Sequence, residues 1–197
     1  MFKKYIQKYI QKSAAISGAY NITKKLKKGA TVLFYHGVVK EIINPVVQET
    51  HIPIGQFEKQ MLYLKKNYEV ISLDYLNECI SQGHKIYPSQ IVLTFDDGYK
   101  NNFYNVAPLL GMLNMPFSIF ISTRFINSGD DIRLPYYYVR TAIWYAGQKY
   151  IEIPSIKGKY DISTQQKRIS VLNTVLETIK TVPEKLVSQV VDDTIKI

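Results

Sequence analysis

From residue 31 onward the apolar positions follow two alternating rhythms. Thr31–His36 (TVLFYH) is a short apolar run stopped by Gly37, and it predicts a strand. After a loop through Pro45 and Gly55, Phe57, Met61 and Leu64 recur at helical spacing. Glu69–Leu73 predicts a second strand. A helix follows with Leu73, Leu76 and Ile80 facing inward, Ser72 as its N-cap and Gly83 just past its end. Ile91–Phe95 is almost wholly apolar, as a strand buried on both faces should be. A helix around Asn105–Leu113 comes next, with Pro108 confined to its first turn, and Pro116–Ser122 predicts the fourth strand. This β-α-β-α-β-α-β rhythm indicates parallel strands joined by crossover helices.

Beyond Ser122 the rhythm stops. Residues 123–134 are polar, and the Gly129, Asp130, Asp131 stretch reads as a solvated loop. Tyr136–Gly147 predicts an aromatic-rich helix, whose Tyr136–Tyr138 and Trp144–Tyr145 clusters suit either core packing or stacking on sugar rings. Two extended pieces, Tyr150–Ile153 and Tyr160–Ile162, precede two helices. The first starts at Ser163 and buries Ile169, Leu172, Val175, Leu176 and Ile179. The second opens on a capping box of Thr181 and Glu184 around Pro183, with Leu186, Val190 and Ile195 in its apolar row.

The charge is unevenly placed. The 197 residues carry a net +9, yet residues 1–28 hold eight lysines and no acid, leaving 17 basic and 16 acidic side chains elsewhere. In that leader Phe2, Tyr5, Ile6, Tyr9 and Ile10 form one apolar stripe between lysines, a pattern suited to an anionic membrane surface. The same pattern suits an amphipathic helix packed on its own domain, or a solvated arm. The leader has no apolar stretch of a cleavable signal peptide, and no run reaches the roughly 20 residues that a membrane-spanning helix needs. A cytoplasmic or peripheral-membrane location is therefore expected. No basic patch continues into the near-neutral body, so a nucleic-acid partner is not expected. A single cysteine, Cys79, excludes an internal disulfide framework and reads as a small buried hydrophobe.

One segment reads as chemistry: Thr94–Tyr99 (TFDDGY). Asp96 and Asp97 stand together at the C-terminal end of a buried strand, the end where βα loops build active sites. Like charges so placed raise one another's pKa, and a bound cation would relieve the repulsion. One carboxylate could then hold metal while the other accepts a proton. Gly98 allows the sharp turn that lets both face the mouth. An Asp-Gly turn with Asp97 capping the next helix accounts for the same residues without catalysis.

The TFDDGY segment resembles the first signature motif of the polysaccharide deacetylase family, the chitooligosaccharide deacetylase homology domain. Its context is similar too. Leu33–Val38 (LFYHGV) resembles the early Tyr-His strand of that family, and Phe57–Leu64 the helix before the second strand. Ile91–Tyr99 and Pro108–Ser122 follow the family's run into its fourth strand. The resemblance spans about residues 31–145, the N-terminal half of such a domain. It implies a distorted (β/α) barrel of parallel strands that hydrolyses N-acetyl, sometimes O-acetyl, groups of a cell-envelope or capsular polysaccharide. It also implies a divalent metal, usually zinc, that polarises the carbonyl and activates water. By position in the motif, Asp96 would be the general base, Asp97 the carboxylate metal ligand, and Tyr99 a residue shaping the substrate mouth.

The chain also departs from that family. The His-(Ser/Thr)-x-x-His pair that completes the metal site is missing, as are the Arg-Pro-rich motif and the late Leu-x-x-His. A catalytic zinc normally takes three protein ligands and keeps one open position. Of the three histidines, His36 ends the first strand on the face of Asp96. It is the candidate near the mouth, as a substrate contact or as a hydrogen-bonded rim residue. His51 lies in a loop, and His84 should sit at the opposite end of the strands. The expected organisation is a leader (1–28), the first half of the barrel (31–122), and a mostly helical insertion (123–197) that ends before the histidine motif. The expected function is therefore a truncated deacetylase, acting with a possible complementing C-terminal half. The alternative is a non-catalytic remnant that binds glycan or a membrane surface.

Overall fold

The computed structural model describes residues 29–123 and 134–196. The basic leader and the Asp130–Asp131 loop lie outside the described residues. The chain divides into two compact units. One comprises residues up to Lys40 with Ile52–Ile121; the other comprises Glu41–His51 with Ser122–Ile197.

The first unit is built on a parallel sheet. Its strands are β1 (Thr31–Tyr35), β4 (Glu69–Val70), β5 (Gln90–Phe95) and β6 (Ser118–Ile119). β5 is central, with β1 on one side and both β4 and β6 on the other. All six β5 residues are buried, as a near-continuous apolar run between two covered faces requires. Short β2 (Gly37–Val39) and β3 (His51–Pro53) form a separate two-stranded ladder that the sequence pattern does not reveal.

Helix α1 (Ile54–Asn67) presents Phe57, Met61 and Leu64 to the sheet, where they join Leu93 and Phe95 in one core. Phe57 lies 5.2 Å edge-on from Tyr35, which stacks 5.5 Å from Phe95. Complete burial of Phe57 and Met61 contributes about 1.5–3 kcal/mol each. On the other face, Val92 packs with Ile71 and Leu76. Leu76 belongs to α2 (Leu73–Gln82), whose N-cap Ser72 accepts the Tyr75 amide at 3.1 Å. At its other end Gly83 closes the helix in the left-handed conformation.

Several boundaries differ from the pattern. The second strand stops at Val70, because the Ser72 cap already starts α2 at Leu73. Within α2 the inward positions are Leu76 and Cys79, one turn apart; Ile80 sits off that stripe and is 62% exposed. Strand β6 keeps only two of its predicted residues, and Phe120 and Ile121 beyond it are exposed. The helix predicted from Asn105 is preceded by a wide π turn, Asn102–Val106, that leads into α3 (Ala107–Met112). The four sheet strands do not close into a barrel among the described residues: β1 ends the sheet, with Val32 and Phe34 exposed on one face.

The second unit is mostly helical. α4 (Pro135–Tyr145) buries Val139 and Ile143. The hairpin β7 (Tyr150–Ile153) and β8 (Gly158–Asp161) pairs antiparallel, and α5 (Gln165–Thr181) and α6 (Glu184–Ile195) complete the layer. α5 buries Val171, Leu172, Val175, Leu176 and Ile179. Ile169, expected inside, is 39% exposed because Val171 takes the inward position. The Thr181 capping box does not form. The Thr181 hydroxyl donates back to the carbonyls of Thr178 (3.0 Å) and Glu177 (3.3 Å), and Pro183 occupies the cap of α6. No helix of the described residues is long and apolar enough to cross a membrane.

Candidate active site

The carboxylate pair sits where its sequence placed it, just past the C-terminal end of the central strand. The β1–β5 register runs to Tyr35 opposite Phe95, and the Asp96 amide continues the ladder by donating to the Tyr35 carbonyl at 2.8 Å. His36 and Asp96 therefore occupy the next step on neighbouring parallel strands, which are spaced about 4.8 Å apart. On the other side the Phe120 amide donates to the Phe95 carbonyl at 2.8 Å. The strand end is thus held from both flanks. Asp96, Asp97 and His36 are all half-buried.

The turn takes two successive left-handed residues, of which one is strained. Asp97 has φ 71° and Gly98 φ 70°, both left-handed. Glycine adopts this without penalty; an aspartate there costs of order 1 kcal/mol or more. A Cβ at Gly98 would also crowd the Ile121 side chain, at 3.3 Å. The turn ends at Tyr99, whose carbonyl accepts the Asn102 amide at 2.9 Å.

The sequence reading missed the residues that brace this rim. Asn101 Oδ1 accepts the Val38 amide (3.2 Å), Asn105 Nδ2 donates to the Val38 carbonyl (2.7 Å), and Asn102 Nδ2 donates to the His36 carbonyl (2.8 Å). The signal available was three asparagines within five residues directly after the acidic turn. Asparagine is a weak helix former whose side chain competes for backbone groups. An open groove of about 430 Å³ lies elsewhere, against α1, lined by Tyr35, Gln60 and Tyr63 among others. None of the four predicted site residues lines it.

Metal chemistry can be tested against the donors present. Among the described residues, no group of three His, Cys, Asp or Glu side chains could hold an ion. His51 opens β3 and is half-buried, while His84 is exposed beyond α2, before the start of β5 and so away from Asp96. The described residues therefore do not make a three-ligand zinc site.

No family profile matches the chain. A Bacillus subtilis protein named "Putative polysaccharide deacetylase YxkH" is 28% identical over 120 residues, covering 60% of this chain and 40% of that protein. The solved structure of IcaB from Ammonifex degensii aligns with 22% identity and a TM-score of 0.43, over 48% of this chain and 39% of that one. The Streptococcus pyogenes deacetylase PplD, solved with acetate, aligns with 18% identity and a TM-score of 0.44, over 57% and 50%. The chain is thus similar in sequence to a protein named as a polysaccharide deacetylase over 60% of its length, and it spans 40% of the length of that curated relative.

Proposed function

We propose that this chain, resembling polysaccharide deacetylases over about half its length, carries the carboxylate part of a hydrolytic site that removes acetyl groups from an acetylated polysaccharide. The observation that supports it most is the pair Asp96–Asp97. It is held at the mouth of a fully buried strand by a turn that keeps an aspartate in a strained conformation. Strain of this kind persists where surrounding structure enforces it, and it concentrates at functional sites.

In this reading Asp96 takes the proton of the attacking water, and Asp97 offers its carboxylate to a divalent cation, zinc by resemblance. When bound, that ion would supply Lewis-acid activation of water and carbonyl. Its other ligands would have to come from outside the described residues, for instance a complementing C-terminal half. Tyr99 and His36 face the substrate from the turn and from the end of β1. The barrel, the helical insertion after residue 122 and the anionic-membrane contact of residues 1–28 belong to the same proposal.

Acetate release from an N-acetylglucosamine oligomer tests it. The chain alone should turn over weakly or not at all, and a polypeptide bearing a His-(Ser/Thr)-x-x-His pair should raise the rate. With that polypeptide present, Asp96→Asn should abolish release; a full rate would overturn the assignment of the base. The incomplete donor set favours one competing reading, a non-catalytic remnant that binds glycan or membrane surface. That reading expects no hydrolysis under any complementation, and binding lost on removal of residues 1–28.

A further inference from the structure

We infer that Asn102 is a positioning residue: through the main chain of His36 it fixes the end of β1 beside the carboxylate pair. The inference rests on the reading that His36 faces the substrate.

Asn102 is fully buried at 0% exposure, which is rare for an amide side chain. Its orientation is determined by its partner. The His36 carbonyl can only accept, so the group 2.8 Å away is the amide Nδ2, and Oδ1 points elsewhere. That Oδ1 is buried with no hydrogen-bond partner among the described residues. A residue chosen only for packing would be apolar here, because a half-satisfied buried amide is costly. The bond to His36 is what the amide supplies.

Backbone geometry supports the same role. Asn102 opens the π turn, and such widened turns inside helices recur at functional sites. Asn101 and Asn105, one turn apart, hold the amide and the carbonyl of Val38. Asn102 adds the only one of these three bonds that reaches His36 itself. Without it, His36 would lose its own bond to the Asn101–Asn105 segment. The His36 ring also meets Phe34, two residues earlier in the chain, edge-on at 6.2 Å, a contact that reports how the His36 ring is set at the strand end.

Nuclear magnetic resonance of the whole chain tests the inference. In the unaltered protein the Phe34 and His36 rings should show mutual Overhauser contacts. In Asn102→Ala these should disappear, while the Tyr35–Phe95 ring contacts of the core persist. Should Asn102→Ala fail to fold, Asn102→Asp keeps the shape and removes the donor, and it should lose the same contacts. Unchanged Phe34–His36 contacts in a folded variant would overturn the inference, because a residue that only stabilises leaves the folded geometry intact.

Titration with an N-acetylglucosamine oligomer separates the two readings. Asn102→Ala and His36→Ala should each weaken binding several-fold, and the double variant no further than either. Additive losses would contradict positioning through His36. An unaltered chain that binds no oligomer, with ring contacts still lost in Asn102→Ala, would sink the deacetylase reading and uphold the positioning role.

Discussion

The two units use their polar side chains in different ways. In the second, a guanidinium finishes a helix: Arg168 donates to the carbonyls of Ile143 (2.7 Å), Trp144 (2.9 Å) and Ala146 (2.8 Å), the otherwise unpaired end of α4. Arg140 donates instead to the carbonyl of Val46, in a turn, at 3.0 Å and pairs with Glu49. Cations placed on the negative end of a helix stabilise it, and nothing in that arrangement is strained. In the first unit, neutral amides hold a strand end against a turn whose aspartate is left-handed. One region satisfies its backbone; the other constrains a pair of acids. Left-handed non-glycine residues occur in both units, at Asp97 and Asn114 in the first and at Lys157 in the second; what sets the first apart is that one of them belongs to a pair of acids.

Substitutions can break that contrast, and the largest effects should come from the cores. Phe57→Ala in the first unit and Leu172→Ala in the second, both almost fully buried, should each cost about 2–5 kcal/mol in chemical denaturation. Amide exchange should show which unit loses protection. Arg168→Ala should follow, at about 1–3 kcal/mol, since it leaves helix-end carbonyls unpaired. A loss near zero would mean that water replaces the guanidinium fully.

Asp97→Gly should work in the opposite direction. Relieving the left-handed aspartate should raise stability by up to about 1 kcal/mol, read as an upward shift in the denaturation midpoint. A destabilised variant would show that the Asp97 carboxylate does structural service in the turn.

The smallest effect concerns Asp161. The Lys167 amine, 2.6 Å away, together with Ser163 holds its carboxyl well below the usual range. A carboxyl depressed on folding stabilises the protein above its unfolded pKa of about 3.9, and that contribution fades as the pH falls below it. Because the pair is at the surface, Lys167→Met should change acid stability only slightly, and less so in high salt.

The central strand, the inward face of α1, the Ser72 cap and the carboxylate turn were all legible in the sequence, because each rests on local pattern or on one residue's conformational preference. Ile80 and Ile169 were misplaced because a helical stripe is about 100° wide, and only packing decides which edge turns inward. The Thr181 capping box failed for a different reason: Thr181 is still the last residue of α5, and Pro183 takes the cap of α6. Least legible were Asn101, Asn102 and Asn105. Their partners lie more than 60 residues away on β2 and the end of β1, and no periodicity encodes such a bond. The absence of a His-(Ser/Thr)-x-x-His pair, by contrast, was apparent from the three histidines of the sequence.

The proposed division of labour between the two acids is tested most directly by zinc calorimetry on the unaltered chain, Asp96→Asn and Asp97→Asn. Weak binding that survives in Asp96→Asn and vanishes in Asp97→Asn is the expected result. Binding lost in Asp96→Asn but kept in Asp97→Asn, or unchanged in both, would contradict it.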